Sequence, residues 1–357
     1  MAAPTFAWLA AHPWISVLQA EDLLALRPGG EPALEPALPA TLAGLPLYLT
    51  DGTLAGMDAA SYQTLLAAQL SAAPENPVTD GAWLMYLGLT APTGNAAIRA
   101  LRAQSLDLIP PLLAAGRWAQ DPLAGCAVIE TPLGKTYATL ASERVYAVID
   151  PRAAVLTYLF VLDEGGVPHQ LVGPTAQFAL GLSDPSDWRL ERGPAADPSV
   201  IPGAFADLDF PAEEYTVSER CPALVLTSFS AQRSKTFRLV ESGIEVDFLP
   251  TRPVHTRLAL VLDPAIFFFQ PTRYTVQAAP GEWSLHLGAG ETLVIQTGGS
   301  IRADSFLDSP VPFRGPENPN RDYPPGHFLP FPLTLVEIQA TGTLTVRLTF
   351  HGPGSPP

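Results

Sequence analysis

Two segments between the apolar runs of the sequence carry residue types that could bind a small molecule. The first, at 183–188, joins Asp184 and Asp187 to Trp188. Carboxylates accept hydrogen bonds from hydroxyl groups, and an indole offers a large apolar surface, so this combination is typical of a saccharide-binding loop. Asp, Pro and Ser are also ordinary turn formers, and the alternative is that Trp188 anchors the loop to the protein core.

The second segment, at 165–174, places His169 and Gln170 between two pairs of turn residues. An imidazole and an amide can each donate and accept hydrogen bonds, so we expect both side chains at the same ligand site. The alternative for His169 is a hydrogen-bonded position in a turn or in the core. No second histidine stands at metal-ligand spacing from His169, and we therefore expect no metal ion.

The sequence carries no motif typical of catalysis. The adjacent acids at 163–164 and 213–214 are typical of solvated turns, whereas glycosidic hydrolysis needs two carboxyl groups on opposite sides of the substrate. We find no serine nucleophile elbow, zinc-binding His-Glu pair, EF-hand loop or phosphate loop. The sequence therefore predicts neither catalytic residues nor a cofactor.

Composition limits the classes of partner. The chain has 357 residues, a formal net charge of −15 and two lysines, Lys135 and Lys235, so a nucleic acid would be repelled. No run of about 18 apolar residues predicts a membrane span, and residues 1–18 make a poor secretory signal because they have no basic start. Cys126 and Cys221 stand 95 positions apart. We expect them to be two buried free thiols in a reducing cytoplasm.

The first 120 residues have the spacing of helices. Apolar residues recur at helical intervals over residues 5–26, and a second helix is predicted between a cap at Asp58 and a stop at Pro74. An apolar cluster follows at 83–87. Asn95 can cap a third helix, and the pair Pro110 and Pro111 can restart it as a segment that carries Trp118.

After Gly125 the pattern changes to short segments rich in β-branched and aromatic residues. They predict an α+β protein, with a helical segment at 1–120 and a large antiparallel β-supersandwich at 121–357. Two long excursions, at 181–214 and 300–332, exceed the usual length of a structureless loop and are where a site is expected. The predicted strands are 144–149, 155–160, 223–227, 235–239, 244–248, 255–262, 283–287, 292–297, 333–340 and 344–350.

Several of these segments together resemble the region that follows the catalytic barrel in bacterial proteins similar to family-57 glycoside hydrolases. The resemblance rests on 6–15, 80–83 and Trp118 for the helical part, and on 143–152, 168–174 and 201–207 for the β-domain. In that family the nucleophile and acid belong to the barrel, so the resemblance implies no catalytic residue here. The chain departs from the family at 131–136, where a Gly- and Asp-rich turn is common, and at 153–154, where Gly-Gly is expected.

The resemblance implies a galactose-mutarotase-like fold and a non-catalytic, carbohydrate-associated accessory or binding protein with a poly- or oligosaccharide partner. An aldose-epimerase-like enzyme that uses a histidine and a carboxylate is the first alternative. A structural or assembly subunit, as a homo-oligomer or with a protein partner, is the second. Its sequence support is the run Phe267, Phe268 and Phe269, which cannot all face one side of a strand.

Overall fold

The computed structural model describes residues 59–90, 102–103, 105–174, 203–209, 213–228, 233–250, 253–261, 274–287, 290–305 and 333–352. Its helices are α1 (Ala59–Ser71), α2 (Pro77–Thr90) and α3 (Ile109–Gln120), the last preceded by a 3₁₀ turn at Leu106–Leu108. Asn76 starts α2 because its side chain accepts hydrogen bonds from the backbone of Val78 and Thr79, each at 3.1 Å. No helix in this part of the chain is long and apolar enough to span a bilayer.

These helices confirm two sequence predictions and extend a third. The helix predicted between Asp58 and Pro74 is α1, and the helix predicted to start at the double proline is α3. The apolar cluster at 83–87 lies inside α2. The helix predicted at 5–26 lies outside the described residues, as does most of the helix predicted after Asn95.

Seventeen strands follow in the described part of the chain, and the ten predicted strands are among them. Every pairing between them is antiparallel. The strands are β1 (Gly125–Glu130), β2 (Thr136–Ala141), β3 (Val145–Asp150), β4 (Val155–Leu162), β5 (Pro168–Val172), β6 (Ala204–Asp207), β7 (Tyr215–Glu219), β8 (Leu224–Ser228), β9 (Arg233–Val240), β10 (Gly243–Pro250), β11 (Val254–Val261), β12 (Tyr274–Ala279), β13 (Glu282–Leu287), β14 (Thr292–Thr297), β15 (Ser300–Ser305), β16 (Leu333–Ala340) and β17 (Leu344–His351).

The strands form two sheets. Sheet A has nine strands in the order β1-β2-β3-β4-β5-β11-β16-β15, with β6 beside β4 and β11; sheet B has eight, in the order β12-β13-β14-β17-β10-β9-β8-β7. The two long excursions of the sequence contain strands of sheet A, since β6 falls within 181–214 and β15 begins 300–332. The observed architecture is therefore an antiparallel β-sandwich with helices, as the sequence predicts.

Alternating apolar side chains fill the space between the two sheets. In β17, Leu344, Val346, Leu348 and Phe350 are buried while the residues between them are more exposed. Inward-facing residues from both sheets join one continuous apolar cluster that includes Trp283. This period of two is what places one face of each strand in the core and the other face outside.

A second core lies between the helices and the outer face of β2, β3 and β4. Large side chains of these strands, among them Tyr146, Tyr158 and Phe160, pack against the helices. Trp118 of α3 donates a hydrogen bond from Nε1 to the carbonyl of Ser142 at 2.8 Å. The helices thus cover one part of the outer face of sheet A. The division into domains at residue 120, between α3 and β1, stays a prediction.

The helical layer also contains a buried carboxyl group. Tyr62 of α1 donates a hydrogen bond to Asp107 Oδ1 at 2.9 Å, and Asp107 is fully buried. Burial raises the pKa of Asp107 to about 6, because desolvation disfavours its charged form more than the hydrogen bond from Tyr62 favours it.

The expectation of two buried free thiols is wrong. Cys126 and Cys221 form a disulfide, with their Cα atoms 6.0 Å apart, and Cys221 is exposed. Cys126 lies in β1, at the edge of sheet A, and Cys221 follows β7, at the edge of sheet B. The bond therefore joins the edges of the two sheets, which are near in space although the residues are distant in sequence.

Candidate functional site

Two of the predicted site residues can be placed, and they face opposite sides of β5. His169 pairs with Val161, a residue of the core between the sheets, whereas Gln170 pairs with Phe160, which faces the helices. Paired residues on neighbouring strands share a face. His169 and Gln170 therefore do not converge on one ligand position.

Both side chains have structural partners. Nε2 of His169 lies 3.1 Å from Asp163 Oδ2, and its ring packs on Phe350 with centroids 4.8 Å apart. Nε2 of Gln170 donates to the carbonyls of Gly173 at 3.0 Å and Pro174 at 3.3 Å. The other predicted site residues, Asp184, Asp187 and Trp188, lie outside the described residues, and their role stays a prediction.

A row of polar side chains crosses β11, β16 and β15 on the outer face of sheet A. His255 is paired with Gln339, and Gln339 is paired with Ser300. Their neighbours Val254 and Ile338 point into the core instead. Because residues paired across strands stand side by side, an imidazole, an amide and a hydroxyl form one continuous row.

The row lines an open cleft of about 390 Å³, a volume within the range of small-molecule sites, roughly 300 to 1,000 Å³. The exposed Pro253 contributes apolar surface to its wall, and Asp209, His255, Ser300 and Gln339 contribute polar groups. We call this feature the β11 cleft. Its lining residues are Asp209, Pro253, Val254, His255, Ser300, Gln339, Ala340 and Thr341.

A second row beside the first holds an ion pair. Arg257 on β11 is paired with Glu337 on β16, and Nε and Nη2 of its guanidinium both donate to Oε1 of that carboxylate, the first at 3.1 Å. The hydrogen bonds from Arg257 lower the pKa of Glu337, against the opposing effect of its partial burial. The carboxylate is thus held in its charged form, as a hydrogen-bond acceptor, in the row beside the cleft.

His255 lies between two carboxylates. Its Nδ1 is 3.2 Å from Asp209 Oδ1, and its Nε2 is 3.5 Å from Glu337 Oε2. The second contact lacks hydrogen-bond geometry, and Nε2 is buried with no hydrogen-bond partner among the described residues. The backbone also fixes this position, since the amide of Leu208 donates to the carbonyl of His255 at 2.9 Å.

The β11 cleft can therefore offer both donors and acceptors to a ligand rich in hydroxyl groups. Gln339 and Ser300 are exposed. The amide of Gln339 can donate and accept, and the hydroxyl of Ser300, which donates to the backbone carbonyl of Gln339 at 3.3 Å, can accept. The sequence predicted a strand at 255–262, and the placing of His255 and Arg257 at every second position, with Thr256 and Leu258 between and after them, was the available signal for an outward polar face. Which strand pairs with β11, and in which register, could not be seen from the sequence.

No family model and no curated protein sequence matches the chain. Solved structures do match, and they include a 4-α-glucanotransferase from Thermococcus litoralis, at 12% identity over 76% of this chain and 49% of that one, with a TM-score of 0.38. The chain thus spans about half of the length of that enzyme. The matches also include the periplasmic domain of YidC from Thermotoga maritima, at 9% identity over 64% of this chain and 87% of that domain, with a TM-score of 0.32.

A GalM/aldose epimerase homologue from C. elegans matches at 10% identity over 64% of this chain and 100% of that chain, with a TM-score of 0.34. The structural neighbours thus include a glucanotransferase, an aldose epimerase homologue and the periplasmic domain of YidC. Likeness at these TM-scores carries no argument about function. The function has to be argued from the site itself.

Proposed function

We propose that the chain is a non-catalytic saccharide-binding protein and that the β11 cleft is its binding site. The observation that supports this proposal is the row of His255, Gln339 and Ser300, which lines one wall of an open cleft. A saccharide presents many hydroxyl groups, each of which both donates and accepts. An amide and a hydroxyl side by side match this pattern, while the exposed ring of Pro253 offers contact to an apolar ring face.

The positions of His255 and Glu337 favour ligand binding over acid-base catalysis. An epimerase or a glycosidase needs its acid and its base on different sides of the reacting atom, and carboxyl pairs in glycosidases stand roughly 5 to 9.5 Å apart across the substrate. His255 and Glu337 instead lie on neighbouring strands with 3.5 Å between Nε2 and Oε2. No substrate atom fits between them, so they are suited to orienting a ligand.

The disulfide bears on localisation. Cys126 and Cys221 are joined, and structural disulfides persist mainly in oxidising compartments. We therefore propose a periplasmic or extracellular location in place of the cytoplasm expected from the sequence.

The sheets of nine and eight strands favour a supersandwich within the broader class of β-sandwiches.

A binding screen followed by matched glutamine variants tests the proposed site. Affinity electrophoresis and a glycan array of neutral, amino and acidic saccharides identify a ligand for the purified chain. Gln339→Ala removes an exposed amide from the cleft, whereas Gln296→Ala removes an exposed strand glutamine from sheet B. We expect the first variant to weaken binding roughly tenfold, as loss of about 1.4 kcal/mol implies, and the second to leave it unchanged.

Two outcomes contradict the proposal. Equal binding by both variants places the saccharide elsewhere on the protein. If the folded wild type binds no saccharide in the screen, the proposed function is wrong. Circular dichroism of the same sample verifies that the protein is folded.

A further inference from the structure

Lys235 occupies a core position in sheet B. It alternates with Phe237 on β9, facing the space between the sheets, and its side chain is almost fully buried. Nζ lies 5.2 Å from the ring centroid of Tyr215 and 5.5 Å from that of Phe248. A lysine is rarely buried to this degree, so its partners indicate what it does there.

The ammonium group donates to two backbone carbonyls on the side of sheet A: that of Ala154, in the turn before β4, at 3.1 Å, and that of Phe205, in β6, at 2.7 Å. These same two residues are the non-glycine residues with positive φ in the described part of the chain, at 50° and 68°. A side chain with a Cβ atom rarely adopts this left-handed conformation. Lys235 thus binds the backbone at both strained positions.

Phe205 is the extra residue of a β-bulge. Arg257 of β11 is paired with Ala206, but the next residue, Leu258, is paired with Ala204. Phe205 is therefore left out of the ladder between β6 and β11, and its carbonyl is free to accept from Lys235. Bulges bend a strand and change the direction of the residues that follow.

The residues after the bulge reach the β11 cleft within four positions. The carbonyl of Ala206 accepts from Thr256 Oγ1 at 2.7 Å, the amide of Leu208 donates to the carbonyl of His255, and Asp209 contacts the ring of His255. A change in the bulge at Phe205 would therefore move Asp209 relative to His255.

The space around Lys235 is too small for a substrate. The adjoining cavity, between Tyr215, Arg233 and Phe248, measures about 10 Å³, which is the room that a single water molecule needs. Asp207, which accepts from Arg233, supplies a negative charge near the ammonium. Among the described residues, this cavity leaves no room for a substrate beside the lysine amine.

We propose that Lys235 is a positioning residue for the β11 cleft: it holds the bulge at Phe205 from the opposite sheet and so fixes Asp209 against His255. The role of the cleft in ligand binding rests on the proposed function. The positioning of the cleft does not, because it can be measured without a ligand.

Hydrogen exchange of the Leu208 amide tests the proposal. Lys235→Met replaces the ammonium with an apolar end of similar length, and Lys135→Met makes the same change at the exposed lysine. We expect Lys235→Met to speed exchange at Leu208 at least roughly tenfold, equivalent to about 1.4 kcal/mol. The amide of Phe350, which donates to Ser242 at 2.9 Å in sheet B, should keep its protection, and Lys135→Met should change neither amide.

If Lys235→Met does not fold, the double variant with Ala154→Gly takes its place, because glycine adopts positive φ without strain. Unchanged protection at Leu208, an equal loss at Leu208 and Phe350, or failure of the double variant to fold would each overturn the proposal. Faster exchange at Leu208 in a protein whose wild type binds no saccharide would support the positioning role and reject the proposed function.

Discussion

Replacing Asp107 by asparagine should remove a pH-dependent cost to stability that is built into the helical layer. The carboxyl is fully buried, and burial raises its pKa to about 6 from an ordinary value of 3.8. As pH rises, the Asp107 carboxyl of the unfolded chain releases its proton near its ordinary pKa of 3.8, whereas the folded protein keeps that proton until about pH 6. The penalty is therefore absent below pH 3.8, accumulates as pH rises to about 6, and is fully present above it.

The size of this penalty follows from the difference between the two pKa values. A shift of about two units corresponds to about 3 kcal/mol of free energy of unfolding. Wild type should therefore lose about 3 kcal/mol relative to Asp107→Asn between about pH 4 and pH 7. Any effect of the asparagine amide on packing or hydrogen bonding is the same at every pH. The pH dependence of the difference in free energy of unfolding between wild type and Asp107→Asn therefore reports the ionisation of Asp107 alone.

Urea denaturation of both proteins at pH 4, 5, 6, 7 and 8, followed by circular dichroism, measures this difference. Tyr62→Phe supplies a second variant, because losing the hydrogen bond from Tyr62 to Asp107 should raise the pKa of Asp107 further and extend the pH dependence to higher pH. A difference between wild type and Asp107→Asn that stays constant across the series would refute the assignment of Asp107 as the buried titrating group.

The remaining predictions concern the disulfide, catalysis and the long excursion. Cys126→Ser with Cys221→Ser should lower the free energy of unfolding by about 2 to 5 kcal/mol, measured by denaturation; free thiols in the untreated wild type by mass spectrometry would contradict the pairing. The purified chain should release no reducing sugar from starch or maltooligosaccharides, and release in proportion to protein concentration would contradict a non-catalytic role. Trp188→Ala should lower the melting temperature by several degrees without changing saccharide affinity if the indole is an anchor, whereas lost affinity at unchanged melting temperature would place the site at 181–214.

Ten of the described strands could be predicted because each of them has a local signature. Leu344, Val346 and Leu348 alternate with polar residues, and this period of two is typical of a strand with one buried and one exposed face. Edge strands such as β1 lack this signature, since most of its residues are exposed. The family resemblance leads us to expect Gly-Gly at 153–154, where this chain has two alanines. Ala154 does adopt the positive φ that favours glycine.

The β11 cleft could not be predicted because it depends on register between distant strands. His255 and Gln339 are 84 positions apart in sequence and become neighbours only through the pairing of β11 with β16. The disulfide was missed for the same reason, since it depends on how the edges of the two sheets meet. His169, by contrast, is conspicuous in sequence, but its ring packs on Phe350.

Chemical-shift mapping by NMR during titration with the saccharide found in the screen tests whether the β11 cleft is the binding site. We expect the backbone amides of His255, Ser300 and Gln339 to shift together and saturate with one dissociation constant, while the amide of Gln296 on sheet B does not move. Shifts confined to 181–214, or none at any saccharide concentration, would contradict it.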